Sequence, residues 1–164
     1  MTLARFYNKS FFWKVGLVTL AGVLVYKLAS THIQLVLTAT PSLPYRLFVL
    51  SKRDEPSLVV PQNGSYILFY NDFTKTKVLK QVRGVPGSRI HFDSFGQLWV
   101  DDSCVGKPQD FSSDGRRVHP LKAGIIPEGY VFAYASHDRS FDSCYEEFGL
   151  VSIESILGVG VAVL

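Results

Sequence analysis

The chain has 164 residues, which is enough for one compact domain and a short additional segment but not for two full domains. Its net charge of +3 arises near the N-terminus, because four of the 17 Lys and Arg residues precede residue 30 and all 14 acidic residues follow residue 53. The rest of the chain is close to neutral, which disfavours nucleic acid as a partner.

The first predicted element is an apolar segment at residues 15–26, bracketed by Lys14 and Lys27. The segment is shorter than the ~20 residues that span a bilayer. Long lysine side chains can reach the membrane interface, however, which lets residues 11–29 serve as one membrane span. We therefore predict one N-terminal transmembrane helix there, with the lipid bilayer as a partner.

The charges around this segment predict its orientation. Arg5 and Lys9 precede it and no acidic residue lies near, a pattern that places residues 1–10 in the cytoplasm. Residues 30–164 are then the exported domain. A cleavable signal peptide is the alternative, since its apolar core is equally short, and whether the anchor is retained stays open.

Short strands separated by turns are predicted beyond the anchor. Seven segments are rich in Val, Ile, Phe and Tyr. They are residues 45–50, 65–70, 77–83, 89–92, 97–100, 130–135 and 155–164. Turn motifs stand at 62–64, 85–87, 93–96, 101–103 and 127–129. Residues 107–123 are polar and predict a long surface loop. The fold class is therefore mainly β, with at most short helices.

The cysteines and histidines indicate neither a metal site nor a catalytic triad. Cys104 and Cys144 are too few for a disulfide framework and lack metal-ligand spacing, and in an exported domain they form either one disulfide or two free thiols. His137 adjoins Asp138, but neighbours in a strand point apart, so a Ser/His/Asp triad is not indicated. No metal and no cofactor is predicted.

Lys80 is the candidate base. The period of two in residues 77–83 puts it on one face with Val78 and Val82. If that face is inward, burial lowers the pKa of the lysine and makes it a general base near neutral pH. If the strand lies at an edge, Lys80 is an ordinary solvated lysine. The periodicity alone does not distinguish a buried Lys80 from a solvated one.

Ser42 is the candidate nucleophile. Prolines stand on both sides of it, in Pro41 and Pro44, and they stiffen the backbone that displays the hydroxyl. The same pattern is also typical of an ordinary turn.

Three segments in this order resemble the signal peptidase family of Ser/Lys proteases. Residues 41–48 (PSLPYRLF) resemble the nucleophile box, most closely that of the conjugative-transfer, pilin-processing branch. Residues 80–88 (KQVRGVPGS) resemble the lysine box with its G-x-P-G turn, and residues 136–145 (SHDRSFDSCY) resemble the third box. The resemblance implies a signal-peptidase-like β domain and a serine-type endopeptidase.

The resemblance also implies roles for five residues. Ser42 is the nucleophile and Lys80 the general base. Thr40 and the Ser42 N–H form the oxyanion hole. Ser140 orients the lysine, and Asp142 is a third catalytic participant. Three positions depart from the family pattern, with arginine instead of glycine at 46, serine instead of aspartate at 88 and cysteine instead of arginine at 144.

The expected function follows from these roles. The enzyme sits in the bacterial inner membrane with its catalytic domain on the periplasmic side, and it processes a membrane-tethered precursor, foremost a conjugative pilin subunit of a conjugation or secretion machinery. A general signal peptidase is the first alternative. The second is a non-catalytic, membrane-tethered β scaffold of a secretion apparatus. Substrate identity, hydrolysis versus cyclisation and oligomeric state are not determined by the sequence.

Overall fold

The computed structural model describes residues 9–38, 42–53, 59–112, 114–137 and 140–164. Within these described residues, one long helix is followed by eleven short strands. They are α1 (Lys9–His32), β1 (Ile33–Leu37), β2 (Leu47–Lys52), β3 (Tyr66–Asn71), β4 (Thr76–Gly84), β5 (Arg89–Phe92), β6 (Leu98–Val100), β7 (Ser103–Gly106), β8 (Gly124–Ile125), β9 (Tyr130–Tyr134), β10 (Val151–Ser152) and β11 (Ile156–Ala162), with a 3₁₀ turn at Ile153–Ser155.

The strands form two antiparallel sheets. The larger one has the order β1-β2-β11-β3-β4-β9-β10, and the smaller one has the order β7-β6-β5-β8. β11 is the last strand of the chain but lies between β2 and β3. This insertion requires glycine at 160, since a Cβ there would overlap the backbone of Val49 and Leu50 on β2.

Apolar side chains fill both faces of the larger sheet. One face carries a cluster that includes Ile67 and Val82, and the opposite face carries a cluster that includes Leu43 and Leu79. A third cluster lies around the smaller sheet and Phe132 of β9. The two sheets approach each other at Gly84, where an added Cβ would lie only 2.6 Å from the Ile126 side chain.

The predicted strands and turns are confirmed. All seven predicted segments form strands whose ends differ by at most two residues from the expectation. The turns have left-handed residues where the motifs place them: Gly64, Gly87, Gly96, Asp101 and Gly129. Residues 107–123 contain only isolated bridges in their described part. The domain is mainly β, as predicted.

Four strands were not predicted from the sequence. β7, β8 and β10 are two to four residues long, so their pairing depends on neighbours that are distant in sequence. β1 follows α1 without a break and pairs with β2. An apolar run that continues a helix carries no local signal for the change to a strand.

The predicted membrane span requires a correction. A helix does form there, but among the described residues none is long and apolar enough to cross a membrane, so the transmembrane helix expected at residues 11–29 is not found.

Candidate active site

Lys80 is buried on the inner face of β4. Val78 and Val82 lie on the same face, and only 6% of Lys80 is exposed, so the inward reading of the strand is confirmed. Its Nζ donates a hydrogen bond of 2.6 Å to Ser140 Oγ and lies 6.0 Å from the centre of the Phe148 ring. The lysine head group is thus enclosed by one hydroxyl and one aromatic ring.

Burial lowers the pKa of Lys80 below its usual 10.5, and the nearby Asp142 and Cys144 oppose that shift without reversing it. Removing an ammonium from water is costly, so the neutral amine is favoured. A neutral amine can accept a proton from a hydroxyl, which is the property that a general base needs.

Asp142 is the second ionisable group of the site and is 2% exposed. Its carboxylate accepts backbone hydrogen bonds from the N–H of Ala135 at 3.0 Å and of Cys144 at 3.1 Å. Burial raises its pKa, whereas the charge of Lys80 and these two hydrogen bonds act in the opposite direction. The two N–H bonds fix the carboxylate between the end of β9 and the third box.

Ser140 connects the third box to the lysine. Its N–H donates to the carbonyl of His137 at 2.8 Å, which closes a turn after β9 and brings the hydroxyl to Lys80. The third box, with Ser140 and Asp142, is therefore brought to Lys80, which lies 60 residues before Ser140 in the chain.

Ser42 lies in a turn before β2 and is half-buried. The side chain of the next residue, Leu43, is buried in the same cluster as Leu79 and Ala135. This packing places the serine segment beside Leu79, the residue before Lys80 on β4. Among the described residues the Lys80 amine hydrogen-bonds only to Ser140, so a direct bond to Ser42 is not formed. Thr40, predicted for the oxyanion hole, lies outside the described residues.

Two adjoining cavities open beside this centre. One of about 280 Å³ is lined by Tyr134, Ser140 and Asp142 among others, and one of about 300 Å³ shares Ser140 and Tyr145 with it. Their size suits a few peptide residues. Among the described residues no group of three or more His, Cys, Asp and Glu side chains is arranged to hold a metal ion.

The long loop at residues 107–123 is tied to the third box. The N–H of Leu121 donates to the carbonyl of Cys144 at 2.8 Å, and His119 Nδ1 pairs with Glu147 Oε1 at 2.7 Å. The sequence feature that relates to this contact is the pair Glu146-Glu147, which stands between the third box and Phe148. Neither the loop's attachment nor the role of Phe148 beside Lys80 was predicted.

The departures at 88 and 144 have local structural roles. Ser88 is buried, and its Oγ accepts a hydrogen bond of 3.2 Å from the N–H of Val85, which closes the turn after β4. Cys144 is a buried thiol in the cluster of the smaller sheet, and burial raises its pKa. Cys104 is an exposed free thiol, so no disulfide joins the two.

Comparison with known proteins identifies the family. The family model described as "Signal peptidase, peptidase S26" matches residues 8–164. The chain belongs to this signal peptidase family. The resemblance on the three boxes is thereby confirmed, and the buried lysine described above lies within the family's domain.

Two curated relatives are conjugal transfer proteins. One is the "Conjugal transfer protein TraF" of Agrobacterium fabrum, 29% identical over 84 residues that cover 50% of this chain and 46% of the relative. The other is the "Probable conjugal transfer protein TraF" of Sinorhizobium fredii, 31% identical over 93 residues that cover 53% of this chain and 45% of the relative. The chain thus spans about half the length of these curated relatives.

A solved structure is also similar. It is a signal peptidase I from Enterococcus faecalis, with a TM-score of 0.40 and 22% identity, covering 60% of this chain and 95% of that one.

Proposed function

We propose that this signal peptidase family member is a serine endopeptidase with Ser42 as nucleophile and Lys80 as general base. The observation that carries the proposal is the buried amine of Lys80, bonded to Ser140 and fixed beside Asp142. A lysine on a scaffold surface would remain solvated and charged, whereas this one has its pKa lowered by burial.

In the proposed reaction, Lys80 takes the proton of Ser42 Oγ while that oxygen bonds to the scissile carbonyl carbon. The oxyanion is stabilised by the Ser42 N–H and Thr40. The peptide C–N bond then breaks, and the Lys80 ammonium protonates the departing amine. Lys80 next deprotonates a water molecule that attacks the acyl ester, and the proton returns to Ser42 as the acid product leaves.

Ser140 and Asp142 support this base in the proposal. Ser140 holds the amine by the 2.6 Å hydrogen bond, and Asp142 sets the charge around it. Phe148 covers the head group against water. Because burial lowers the pKa of Lys80, the lysine takes the role of base in this proposal and no histidine is assigned to it.

The proposed substrate is the membrane-tethered precursor of a conjugative pilin. The TraF relatives named above support a conjugation system, and the S-L-P form of the nucleophile box favours the pilin-processing branch. We propose hydrolysis as the basal reaction. If an amine of the same peptide replaces water, the product is circular and lighter by one water, which mass spectrometry distinguishes.

We also propose that α1 attaches the enzyme to the bacterial inner membrane, with the β domain on the periplasmic side. The helix has 24 residues, about 36 Å at 1.5 Å per residue, and exposes apolar side chains such as Trp13, Val18 and Leu20. Two experiments test this proposal. The protein should stay in the membrane fraction during alkaline extraction if α1 attaches it to the membrane. Protease added to spheroplasts should digest the β domain if that domain is periplasmic.

The test of catalysis is cleavage of a co-expressed pilin precursor by wild type, Ser42→Ala and Lys80→Met at matched protein levels. Both variants should lose the mature product while circular dichroism shows a folded domain. Lys77→Met, an exposed lysine on the same strand, is the control for Lys80 and should cleave normally. Normal cleavage by Ser42→Ala would favour the scaffold alternative, and no cleavage by wild type would remove this precursor as the substrate.

A further inference from the structure

A third cavity adjoins the two beside Ser140. The cavity of about 300 Å³ that Ser140 lines also has Ser112 and Phe141 in its wall, and both residues line a further cavity of about 370 Å³. The three cavities form one groove that begins at Ser140, whose hydroxyl is bonded to Lys80. The groove ends in the 370 Å³ cavity, here called the distal cavity, between the loop after β7 and the β3–β4 turn.

Three segments of the chain build the distal cavity. The guanidinium carbon of Arg116 lies 4.6 Å from the centre of the Phe73 ring, and the centres of the Phe73 and Phe141 rings lie 4.9 Å apart. Arg116 is oriented by Asp114, whose Oδ2 accepts a hydrogen bond of 2.7 Å from Nε. The buried Val118 completes the lining. The walls are therefore fixed by contacts between segments that are distant in sequence.

The acids and hydroxyls that line the distal cavity already have partners. The pairs are Ser112 and Arg116 with Asp114, Thr74 with Asn71, and Glu147 with His119. The remaining cation, Arg117, is exposed, which lets its charge stay in water. Since burying a charge or an unpaired polar group is costly, the occupant that suits this lining is a neutral, apolar side chain.

The middle cavity of the groove is also aromatic. Phe111 lines it and is 61% exposed. Phe141 and Tyr145 line it as well, and their rings are stacked with centres 5.8 Å apart. Exposed apolar surface beside a groove is typical of a binding surface. Rings thus follow the groove from Ser140 to the distal cavity.

The position of the groove indicates which part of the precursor enters it. In the proposed reaction the Lys80 ammonium protonates the departing amine, so the chain that begins with this amine leaves past Lys80. The groove is the space that adjoins Lys80 through Ser140. The path to the distal cavity is roughly 15 Å, and an extended chain advances about 3.3 Å per residue, so the distal cavity lies within about five residues of the scissile bond.

We propose that the groove binds the segment of the precursor that follows the scissile bond, and that the distal cavity takes an aromatic side chain of that segment. This inference rests on the proposed function, because it takes the ligand to be the peptide substrate. An aromatic ring fits beside Phe73, Phe141 and Arg116 through edge-to-face and cation–π contacts. The enzyme thereby selects precursors with Phe, Tyr or Trp within about five residues after the cut.

The test measures binding without catalysis. The full-length Ser42→Ala protein in detergent micelles is titrated with three capped heptapeptides of alanine and serine whose central residue is Phe, Leu or Ala. Binding is followed by NMR at the backbone amide of Thr74, in the lining of the distal cavity. The Phe peptide should bind about tenfold more tightly than the Ala peptide, because a whole ring leaves water, and a few-fold more tightly than the Leu peptide.

Phe73→Ala should remove most of the Phe preference, since it takes away one wall of the distal cavity. Phe95→Ala is the matched control, because Phe95 is an exposed ring of the β5–β6 turn and lines none of the three cavities. It should leave the preference intact, which excludes uptake of the peptide by the micelle as its cause.

Equal binding of the Phe peptide and either of the others, including no detectable binding of any, contradicts the proposal. If Phe73→Ala does not fold, the position of the shift changes in the protein with Phe73 intact is the deciding measurement. Changes at Thr74 and Gly115, which line the distal and middle cavities, support the proposal, and changes confined to amides outside the groove contradict it.

The two proposals fail separately. Cleavage that survives Ser42→Ala overturns the catalytic assignment but leaves the Phe preference standing. Absence of that preference, with cleavage still dependent on Ser42, overturns only the role of the groove. Where wild type cleaves the precursor, the Phe peptide should inhibit competitively, and binding at Thr74 without inhibition would overturn the substrate role of the distal cavity.

Discussion

The amine of Lys80 donates a 2.6 Å hydrogen bond to the hydroxyl of Ser140, a residue sixty positions later in the chain. The contact joins β4 to the loop after β9, two neighbouring strands of the larger sheet. It fixes the direction of the lysine side chain inside a site where burial lowers the pKa of that side chain. The orientation of the base therefore depends on a residue outside the proposed dyad.

Ser140→Ala should lower kcat about tenfold to a hundredfold with little change in KM, because a positioned proton acceptor becomes loosely held. Steady-state cleavage of the precursor measures both constants. Ser140→Thr, which keeps the hydroxyl, should restore part of the rate. Ser155→Ala removes an exposed hydroxyl elsewhere and should behave as wild type. An unchanged kcat in Ser140→Ala would exclude the orienting role.

Phe148→Ala should move the acid limb of the pH profile of kcat/KM to higher pH. The ring covers the Lys80 head group, so its removal admits water and raises the pKa of Lys80 toward 10.5. Activity requires the neutral amine and therefore rises with pH through that pKa. Loss of the cation–π contact acts in the opposite direction but is weak at 6.0 Å.

The charged and titratable neighbours of Lys80 for this experiment are Asp142 and Cys144, both of which remain in Phe148→Ala. Phe95→Ala removes an exposed ring from the β5–β6 turn and serves as the control. A limb that stays in place, or moves to lower pH, would show that Phe148 does not desolvate the base.

The two thiols should differ sharply in reactivity. Cys104 is exposed, whereas Cys144 is buried and its pKa is raised by burial. Because the thiolate is the reactive form, a thiol-specific reagent should modify Cys104 alone in the folded protein and both residues in denaturant. Cys104→Ser should then give no rapid modification under native conditions. Fast labelling of Cys144 in that variant would contradict the burial of the third box.

Gly160→Ala should destabilise the domain by about 3 kcal/mol or prevent folding, since the added Cβ would overlap the backbone of Val49 and Leu50. Chemical denaturation measures the free energy of unfolding. Gly124→Ala is the matched control, because nothing lies within 4 Å of a Cβ there, and it should change stability by less than about 0.5 kcal/mol. Equal stabilities for the two variants would argue against β11 lying so close to β2.

Much of the fold was predictable because its signals are local. Each longer strand has its own alternating or apolar run, and each turn carries a glycine or aspartate that accepts a left-handed backbone. The exceptions are β7, β8 and β10, which have too few residues to show a pattern. The insertion of β11 between β2 and β3 could not be predicted from the sequence either, because strand order depends on contacts between distant parts of the chain.

The sequence by itself determined the family, the mainly β class and the residues of interest, Ser42, Lys80, Ser140 and Asp142, because three ordered motifs and a period of two are properties of the chain alone. Only the tertiary structure decided that Lys80 faces inward, that Ser140 accepts its hydrogen bond and that Phe148 covers it. It also decided that Arg83 lies at a β-bulge of β4. Burial and pairing depend on which distant segments pack together, and no local stretch of sequence carries that information.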